Sequence, residues 1–408
     1  MKTAIELSED QSRALAQVVE SVKAKNICTT LGGYAGTGKT TTVGEIVRAL
    51  RPEFPAIAFC CYTGKAFKVL ESKLLACEAL NPETDYCGTI HGLVYNARAV
   101  IEEKELGDGS KEKKLHMRFD QKDGHAGTYS LIVVDEASMV NFEIYQELLK
   151  FKVPILAVGD HGQLPPVFGD FNLIEDPEIK LAKVHRQAEE NPIIQVSILA
   201  RETGEIPFET FSSKCFKTDD EEIVNQLSDP REWMIVTGTN KKRVERNKWA
   251  RWKLGIDSLA KPVKGDRVVC LKNIHEKHVF NGMTGMILEI KQSNLKDYWY
   301  EMTVMMDSGT VYFSQKVFKY QFHQPKLLVS THPLCPDVDP RDFGDMWDYG
   351  YALTCHKGQG SESDKVIVYE ENFMRDFMTR TKGEESWRRW LYTAVTRARK
   401  ELIIVGEN

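Results

Sequence analysis

The sequence predicts an α/β protein of two domains, each built around a parallel β-sheet. The chain has 408 residues, and at roughly 100–200 residues per domain this suggests two or three domains. Short apolar segments alternate with helical patterns in both halves, which favours parallel sheets covered by helices on both faces. We expect the first domain to span residues 1–185 and the second to span residues 186–408.

The predicted strands are short apolar runs followed by turn residues. They lie at residues 27–31, 56–62, 131–134 and 155–158 in the first half, and at 233–236, 351–353, 365–369 and 402–405 in the second. Helical patterns lie between them, as at 40–50 and 65–76. Ser8 and Gln11 have the spacing of a capping box, so the opening helix is expected to begin there.

Two segments depart from this alternation. Residues 93–128 are polar and rich in charge, which predicts a small insertion or an exposed hairpin in the first domain. Residues 260–345 are β-like, and residues 307–310 (D-S-G-T) are suited to a hairpin turn. We expect a small β-barrel inserted into the second domain.

Composition leaves several classes of partner open and disfavours others. The net charge of -5 does not exclude nucleic acid, because a binding groove needs only local positive charge. No run of about 20 apolar residues occurs and the first ten residues lack a secretory pattern, so we expect no membrane association and a cytoplasmic location in a bacterial or phage-infected cell. The nine cysteines contain no C-x-x-C pair, which favours reduced thiols over a zinc site.

A phosphate-binding loop is predicted at residues 33–40, G-Y-A-G-T-G-K-T, between a strand and a helix. Backbone N–H groups of such a loop surround phosphate oxygens, and the helix N-terminus adds its positive end. Lys39 would neutralise the β- and γ-phosphates of ATP, and Thr40 would hold Mg²⁺. The expected nucleotide-binding residues of this segment are Gly33, Ala35, Gly36, Thr37, Gly38, Lys39, Thr40 and Thr41.

Two carboxylates follow the predicted strand at 131–134. In open α/β sheets the carboxyl ends of the strands form the ligand site, so Asp135 is expected to bind Mg²⁺ and Glu136 to orient and deprotonate the attacking water. The alternative is a solvated acidic turn. Together with the phosphate-binding loop, these residues predict a nucleoside triphosphatase, but they do not say what the energy of hydrolysis is used for.

Further motifs follow along the chain: T-G-K-A at 63–66, T-I-H at 89–91, D-E-A-S at 135–138, G-D-H-G-Q-L-P-P-V at 159–167, V-H-R-Q at 184–187, A-L-T-C-H-K-G-Q-G-S-E at 352–362 and Y-T-A-V-T-R-A-R at 392–399. This ordered set resembles superfamily 1 helicases, and within them the RecD-like and phage Dda-like branch. The resemblance runs from Gln11 to Arg399, although Gly358 stands where many relatives carry serine. It implies two RecA-like motor domains that use ATP and Mg²⁺.

The resemblance also implies roles for individual residues. Gln11 would contact the adenine edge, Gln163 would sense the γ-phosphate, and Arg186 and Arg397 would act as arginine fingers from the second domain. Three further residues would belong to the nucleotide site: Gln359, Gly360 and Glu362. The residues expected to hold nucleic acid are Thr63, Lys65, Thr89, His91, Asn240, Thr354, His356 and Lys357, each of which has an alternative interpretation as an ordinary polar loop residue.

The function that follows from the resemblance is ATP-dependent movement on single-stranded DNA, in the 5′-to-3′ direction, with unwinding of duplex. The insertion at 93–128 is the candidate wedge between the strands. Phe343 and Trp347 would either stack on bases or pack in a core. The expected partners are single-stranded DNA, tailed duplex DNA and single-stranded-DNA-binding or replication proteins, and a monomer is expected to suffice. Two alternatives remain open, a translocase that displaces bound proteins and a nucleotide-driven switch with low turnover.

Overall fold

The structure is a computed structural model that describes residues 7–105, 111–121, 128–166, 171–183 and 190–407. For residues 96–105, 111–121 and 275 it describes the backbone alone. The helices are α1 (Glu9–Lys23), α2 (Lys39–Leu50), α3 (Gly64–Ala76), α4 (Ile90–Val94), α5 (Phe142–Leu149), α6 (Pro192–Glu202), α7 (Glu221–Leu227), α8 (Asn240–Lys253), α9 (Cys355–Gly358), α10 (Asn372–Lys382) and α11 (Glu384–Val395).

The strands are β1 (Cys28–Gly33), β2 (Ile57–Cys61), β3 (Tyr86–Thr89), β4 (Tyr95–Glu105), β5 (Lys111–Gln121), β6 (Leu131–Asp135), β7 (Ile155–Gly159), β8 (Ile179–Leu181), β9 (Thr210–Ser212), β10 (Cys215–Thr218), β11 (Trp233–Thr237), β12 (Arg267–Cys270), β13 (Thr284–Gln292), β14 (Trp299–Met306), β15 (Val311–Phe318), β16 (Trp347–Tyr349), β17 (Ala352–Thr354), β18 (Ser363–Glu370) and β19 (Ala398–Gly406). Short 3₁₀ turns lie at Ala137–Met139, His275–Lys277, Lys319–Gln321 and Pro340–Phe343.

The first sheet contains six parallel strands in the order β3-β2-β6-β7-β1-β8. Its central strands are buried along their length because helices cover both faces. The opening helix α1 begins with the predicted capping box: Ser8 Oγ accepts from the backbone N–H of Gln11, and the Gln11 side chain accepts from that of Ser8. The order places β1, β7 and β6 side by side, so the loops after these strands meet at one edge.

The second sheet has the order β17-β11-β18-β19-β10-β9, and all its pairs are parallel except β9 with β10. On helix α11, the indole rings of Trp387 and Trp390 stack with centroids 5.0 Å apart, and both belong to the core that includes Val366 of this sheet. Both side chains are buried. The described chain therefore contains two α/β units built on largely parallel sheets, as expected.

The β-rich insertion forms a five-stranded antiparallel sheet in the order β15-β14-β13-β12-β16. A β-bridge joins Val317, on β15, to Asp345, which lies just before β16. The two edge strands of the sheet therefore come close together, which gives a barrel-like shape. Its last strand, Trp347–Tyr349, lies beyond the predicted end of the insertion at residue 345. We call this unit the barrel.

The sequence left open whether Phe343 and Trp347 stack on bases or pack in a core, and the structure shows that base stacking is wrong. The Phe343 ring stacks on Phe318 with centroids 4.1 Å apart and is 2% exposed, and Trp347 is fully buried. Both side chains pack in the core of the barrel, because large aromatic side chains gain most from full burial.

The segment predicted as an insertion or hairpin contains the antiparallel pair β4–β5, whose register runs from Tyr95↔Gln121 to Glu105↔Lys111. Its backbone comes within 8 Å, between Cα atoms, of the barrel turn Pro340–Phe343. The hairpin thus leaves the first domain and reaches the insertion of the second.

Among the residues that the structure describes, no helix combines the length and apolar character needed for a membrane span. All nine cysteines are free thiols.

Candidate active site

The phosphate-binding loop has the backbone that its glycines predict. Gly36 and Gly38 adopt left-handed conformations, with φ of 82° and 76°. Residues that carry a side chain rarely adopt this conformation. The Thr37 hydroxyl donates to the carbonyl of Tyr34 at 2.9 Å, and the Thr42 hydroxyl donates to that of Gly38 at 3.1 Å. Helix α2 begins immediately after this turn, at Lys39, so its free N–H groups and Thr41 lie beside the loop.

The Lys39 ammonium lies inside the loop. Its Nζ donates to the carbonyl oxygens of Gly33 at 2.6 Å and Tyr34 at 3.0 Å, and it is 3.8 Å from Asp160 Oδ2. Asp160 follows β7 and is 1% exposed. A phosphate in the loop would offer this ammonium charge-assisted hydrogen bonds in place of those to the two carbonyls.

The two predicted carboxylates lie at the same edge of the sheet. Burial raises the pKa of Asp135, and burial together with the charge of Asp135 raises the pKa of Glu136 to about 7. The positive charges of Arg397 and Lys39 oppose the rise at Glu136. Charged residues from both domains therefore share one electrostatic environment.

The residues predicted to hold Mg²⁺ fit that ion by chemistry. A hydroxyl and a carboxylate are the oxygen ligands that Mg²⁺ prefers. Lys73, on α3, lies near both: its Nζ is 3.5 Å from Thr40 Oγ1, and its charge opposes the rise that burial causes in the pKa of Asp135.

Gln11 is 3% exposed and reaches the phosphate-binding loop. Its Oε1 accepts from the backbone N–H of Ser8 at 3.0 Å, and its Nε2 donates to the carbonyl of Gly38 at 3.5 Å. The capping role and a position beside the nucleotide site are therefore compatible, and contact with adenine stays a prediction.

Gln163 lies behind the loop. It is 6% exposed, its Nε2 is 3.5 Å from Asp160 Oδ2, and its Oε1 has no hydrogen-bond partner within the described part of the chain. A buried amide oxygen without a partner costs free energy unless a ligand or water completes it. This supports a position for Gln163 where an incoming group binds.

Arg397, the predicted finger, is 3% exposed and is held by three acceptors. Its Nε donates to Thr393 O, and its two terminal nitrogens donate to Ser361 O and Thr396 Oγ1. Its charge nevertheless acts on Glu136 in the first domain. The other predicted finger, Arg186, lies with residues 184–189 outside the described residues.

The loop at 358–362 packs on the first domain. Gln359 Nε2 donates to the carbonyl of Leu164 at 3.1 Å. Gly360 has φ of 69°, and a Cβ there would lie 3.0 Å from Ala66 Cβ and 3.5 Å from Thr63 Oγ1. Glu362 lines a cavity of about 90 Å³ that it shares with Lys65. Gln359 and Gly360 thus connect the two domains, whereas no contact in the structure assigns Glu362 to the nucleotide.

Sequence reasoning missed three residues of this cleft. Tyr392, on α11, hydrogen-bonds the backbone of Ala35 and the carboxylate of Asp160. Arg201, on α6, places its guanidinium carbon 3.8 Å from the ring centroid of Tyr34. Tyr392 and Asp160 stand within motifs that the sequence displayed, but Arg201 carries no signal beyond its place near the end of a helix.

The candidate nucleic-acid residues fall at the carboxyl ends of neighbouring strands in each sheet. Thr63 and Thr89 cap α3 and α4, accepting from the backbone N–H of Ala66 at 3.2 Å and of Gly92 at 3.0 Å. Thr354 caps α9 without a side-chain bond, and Asn240 opens α8 next to it. The two edges could support one extended ligand.

The two candidate lysines are half-buried. Burial lowers the pKa of both Lys65 and Lys357 to about 8, and Lys65 faces the cavity shared with Arg267 and Asp307 of the barrel. Burial also lowers the pKa of His91 and His356. His91 contacts the ring of Tyr62 edge-on, with centroids 5.4 Å apart, so it is partly structural.

The fold and the site together define a two-domain P-loop nucleoside triphosphatase. Residues 15–169 match the model of the AAA domain, and residues 349–405 match that of the UvrD-like helicase C-terminal domain. Together with the relatives below, these matches are consistent with the resemblance of the chain to superfamily 1 helicases of the RecD-like and Dda-like branch.

Two curated relatives align with 98% of the chain. The ATP-dependent RecD2 DNA helicase of Deinococcus radiodurans is 28% identical, with 49% of its own length covered, so the chain spans about half of that relative. The ATP-dependent DNA helicase dda of Enterobacteria phage T4 is 24% identical, with 99% of its length covered. Among solved structures, Bacteroides Pif1 bound to single-stranded DNA shares the fold, with a TM-score of 0.55, 16% identity, and coverage of 98% of this chain and 92% of that one.

Proposed function

We propose that this protein is an ATP-dependent DNA helicase that moves along single-stranded DNA and separates duplex strands. The observation that carries the proposal is the composition of the cleft: Lys39, Asp135 and Glu136 come from one domain, and the charge of Arg397, from the other, acts on Glu136. The names of RecD2 and dda support the same activity.

The proposed chemistry is in-line attack of water on the γ-phosphorus. Glu136 accepts a proton from the water, the new P–O bond forms, and the bond to the β–γ bridging oxygen breaks to release ADP. Mg²⁺, held by Thr40 and Asp135, would supply charge neutralisation at the phosphates. Lys39, Gln163 and the arginines at 397 and 186 stabilise negative charge that the transition state spreads over the γ-phosphoryl oxygens.

Movement follows if hydrolysis changes the separation of the two domains. Bound ATP contacts both sides of the cleft and favours closure, and loss of the γ-phosphate releases the contacts from the second domain. Thr63, Thr89, Asn240 and Thr354 lie at the strand ends of the two sheets, so closure and opening would shift one pair of contacts along the strand relative to the other. We take the 5′-to-3′ direction from the branch that the chain resembles.

The hairpin β4–β5 is the proposed wedge. It projects from the first domain next to the strand ends, and its backbone lies beside the barrel turn Pro340–Phe343. Support from the barrel would hold such a hairpin against the force of a separating duplex. Because the loop, the acidic pair and Arg397 belong to one chain, we further propose that a monomer is sufficient for the motor.

Strand release from tailed duplexes tests the proposed function. Purified protein receives ATP, Mg²⁺ and duplex DNA with either a 5′ or a 3′ single-stranded tail, and Lys39→Ala is the control without hydrolysis. We expect release from the 5′-tailed duplex alone. Release from the 3′-tailed duplex alone would overturn the direction. With no release from either, DNA-stimulated hydrolysis would indicate a translocase that displaces proteins, and unstimulated slow hydrolysis would indicate a switch.

A further inference from the structure

The hydroxyl of Tyr392 joins three parts of the molecule. It donates to Asp160 Oδ2 at 2.6 Å and accepts from the backbone N–H of Ala35 at 2.8 Å. Ala35 belongs to the phosphate-binding loop, Asp160 follows β7, and Tyr392 belongs to α11 of the second domain. Tyr392 is fully buried, so the hydroxyl bridges the two domains inside the protein.

The surroundings leave this hydroxyl little freedom. Burial and the negative charge of Asp160 raise the pKa of Tyr392 well above its usual value, so the hydroxyl keeps the proton that it donates. Gly162 lies between two aromatic rings, since a Cβ there would be 2.9 Å from Tyr34 and 3.1 Å from Tyr392. Buried hydrogen bonds of this kind hold one geometry, because their donors and acceptors have no solvent to turn to.

The bridge is continuous with the arginine finger. Tyr392 is followed by Thr393, whose carbonyl accepts from Arg397 Nε at 2.9 Å. Thr396 Oγ1 donates to the carbonyl of Tyr392 at 2.8 Å and accepts from Arg397 at 3.1 Å. A displacement of Tyr392 would therefore be passed to the guanidinium of Arg397 through two short hydrogen-bonded connections.

We propose that Tyr392 is a positioning residue for ATP hydrolysis, whose hydroxyl couples the state of the phosphate-binding loop to the placement of Arg397. The inference rests on the proposed function. A γ-phosphate in the loop changes the surroundings of the Ala35 N–H and of Lys39, and Lys39 lies 3.8 Å from the same Asp160 oxygen that Tyr392 contacts. The Tyr392 hydroxyl thus hydrogen-bonds both Ala35 of the loop and Asp160, the carboxylate nearest to Lys39 among the described residues.

The test is the variant Tyr392→Phe, which keeps the ring and removes the hydroxyl. Its matched control is Tyr351→Phe, because the Tyr351 hydroxyl also donates to a buried aspartate, Asp266 at 3.0 Å, but lies beside the barrel. Steady-state ATP hydrolysis with saturating single-stranded DNA gives kcat, and a fluorescent ATP analogue gives the nucleotide Kd. We expect kcat of Tyr392→Phe to fall by about tenfold or more, since a buried carboxylate and an amide each lose a partner, with the Kd nearly unchanged.

A double-mutant cycle with Asp160→Asn separates coupling from general damage. Because Tyr392 and Asp160 act through one hydrogen bond, the double variant should lose little more than the more damaged single variant. The inference would be overturned if kcat were unchanged in Tyr392→Phe or fell equally in Tyr351→Phe. It would also be overturned if Tyr392→Phe weakened nucleotide binding (a higher Kd) in place of lowering kcat, or if the losses in the cycle were additive. Absence of DNA-stimulated hydrolysis in the parent protein would instead overturn the proposed function, and the inference with it.

Discussion

The hydroxyl oxygen of Thr393, on α11 of the second domain, accepts a hydrogen bond from the backbone N–H of Leu164 in the first domain at 2.9 Å. The same hydroxyl donates to the carbonyl of Arg389 at 2.6 Å. Thr393 is fully buried and Leu164 is 2% exposed. The loop that contains Gln163 is therefore hydrogen-bonded to helix α11, which ends two residues before Arg397.

Replacing Thr393 with valine should weaken this connection. Valine has nearly the shape of threonine but leaves the Leu164 N–H without its buried acceptor, at a cost of about 1–3 kcal/mol. We expect Thr393→Val to lower the thermal midpoint of unfolding. The midpoint is measured by intrinsic tryptophan fluorescence, to which Trp387 and Trp390 on the same helix contribute. Thr393→Ser, which keeps the hydroxyl, should retain most of the midpoint, and equal midpoints for the two variants would contradict the account.

Gly64 is required where the barrel meets the first domain. A Cβ at Gly64 would lie 2.1 Å from the Cβ and 2.3 Å from the Cγ of Phe280, and Phe280 also contacts the ring of Phe67, with centroids 5.2 Å apart. Gly64→Ala should destabilise the protein by about 1–3 kcal/mol, because the start of α3 and the barrel must separate.

Gly358→Ala is the matched control, since nothing lies within 4 Å of a Cβ at that position. Its unfolding midpoint in urea should equal that of the parent. Adding Phe280→Gly to Gly64→Ala should cost less than the two single losses combined, because glycine lacks both the Cβ and the ring that the new Cβ at position 64 would meet. A Gly64→Ala variant as stable as Gly358→Ala would contradict the close packing of the barrel on α3.

His323 should make the barrel sensitive to acid. Burial, reinforced by the positive charges of Arg251, Lys248 and Arg243, lowers the pKa of His323 from 6.5 to about 4. The unfolded chain then binds more protons than the folded chain between these two values, so the contribution to stability is complete above about pH 6.5 and declines as the pH falls toward 4.

Thermal midpoints of the parent and of His323→Asn, measured across this pH range, test the effect. Asparagine suits the position because His323 has φ of 66°, which asparagine tolerates better than most residues. The midpoint of the parent should fall more steeply with acid than that of the variant. Parallel curves would show that His323 does not titrate as described.

Shortening the hairpin should separate unwinding from hydrolysis. Residues 101 and 115 are paired across the two strands, so replacing residues 102–114 with a short turn keeps the base of the hairpin and removes its outer part. We expect strand release to fall severalfold while DNA-stimulated hydrolysis stays near that of the parent, because the cleft is untouched. Loss of both activities in equal measure would contradict the role of a wedge.

Much of the fold follows from local patterns in the sequence. The central strands are short apolar runs because a parallel sheet buries both of its faces, and the capping box at Ser8 and Gln11 is a purely local signal. The edge strands Tyr86–Thr89 and Ile179–Leu181 were missed, since one is polar and both are very short. The sequence also could not decide whether Trp347 packs in a core or stacks on a base, because a tryptophan at this position fits both interpretations.

The candidate site shows the same division. Lys39, Asp135 and Glu136 were predictable because their spacing reflects the backbone of one loop and one strand end. The partners of Tyr392 were not, since Ala35 and Asp160 are 357 and 232 residues away in the chain. Such contacts depend on how two domains meet, which no local pattern records.

The most direct test of the central claim, that the two domains form one catalytic cleft, is the rate of DNA-stimulated ATP hydrolysis by Arg397→Ala. Arg397→Lys serves as the companion variant, because lysine keeps the charge but lacks the planar fork that binds two phosphate oxygens. We predict a loss of kcat of roughly 100-fold or more in Arg397→Ala, with ATP still bound and the lysine variant intermediate or equally impaired. Hydrolysis by Arg397→Ala at the rate of the parent protein would contradict the account.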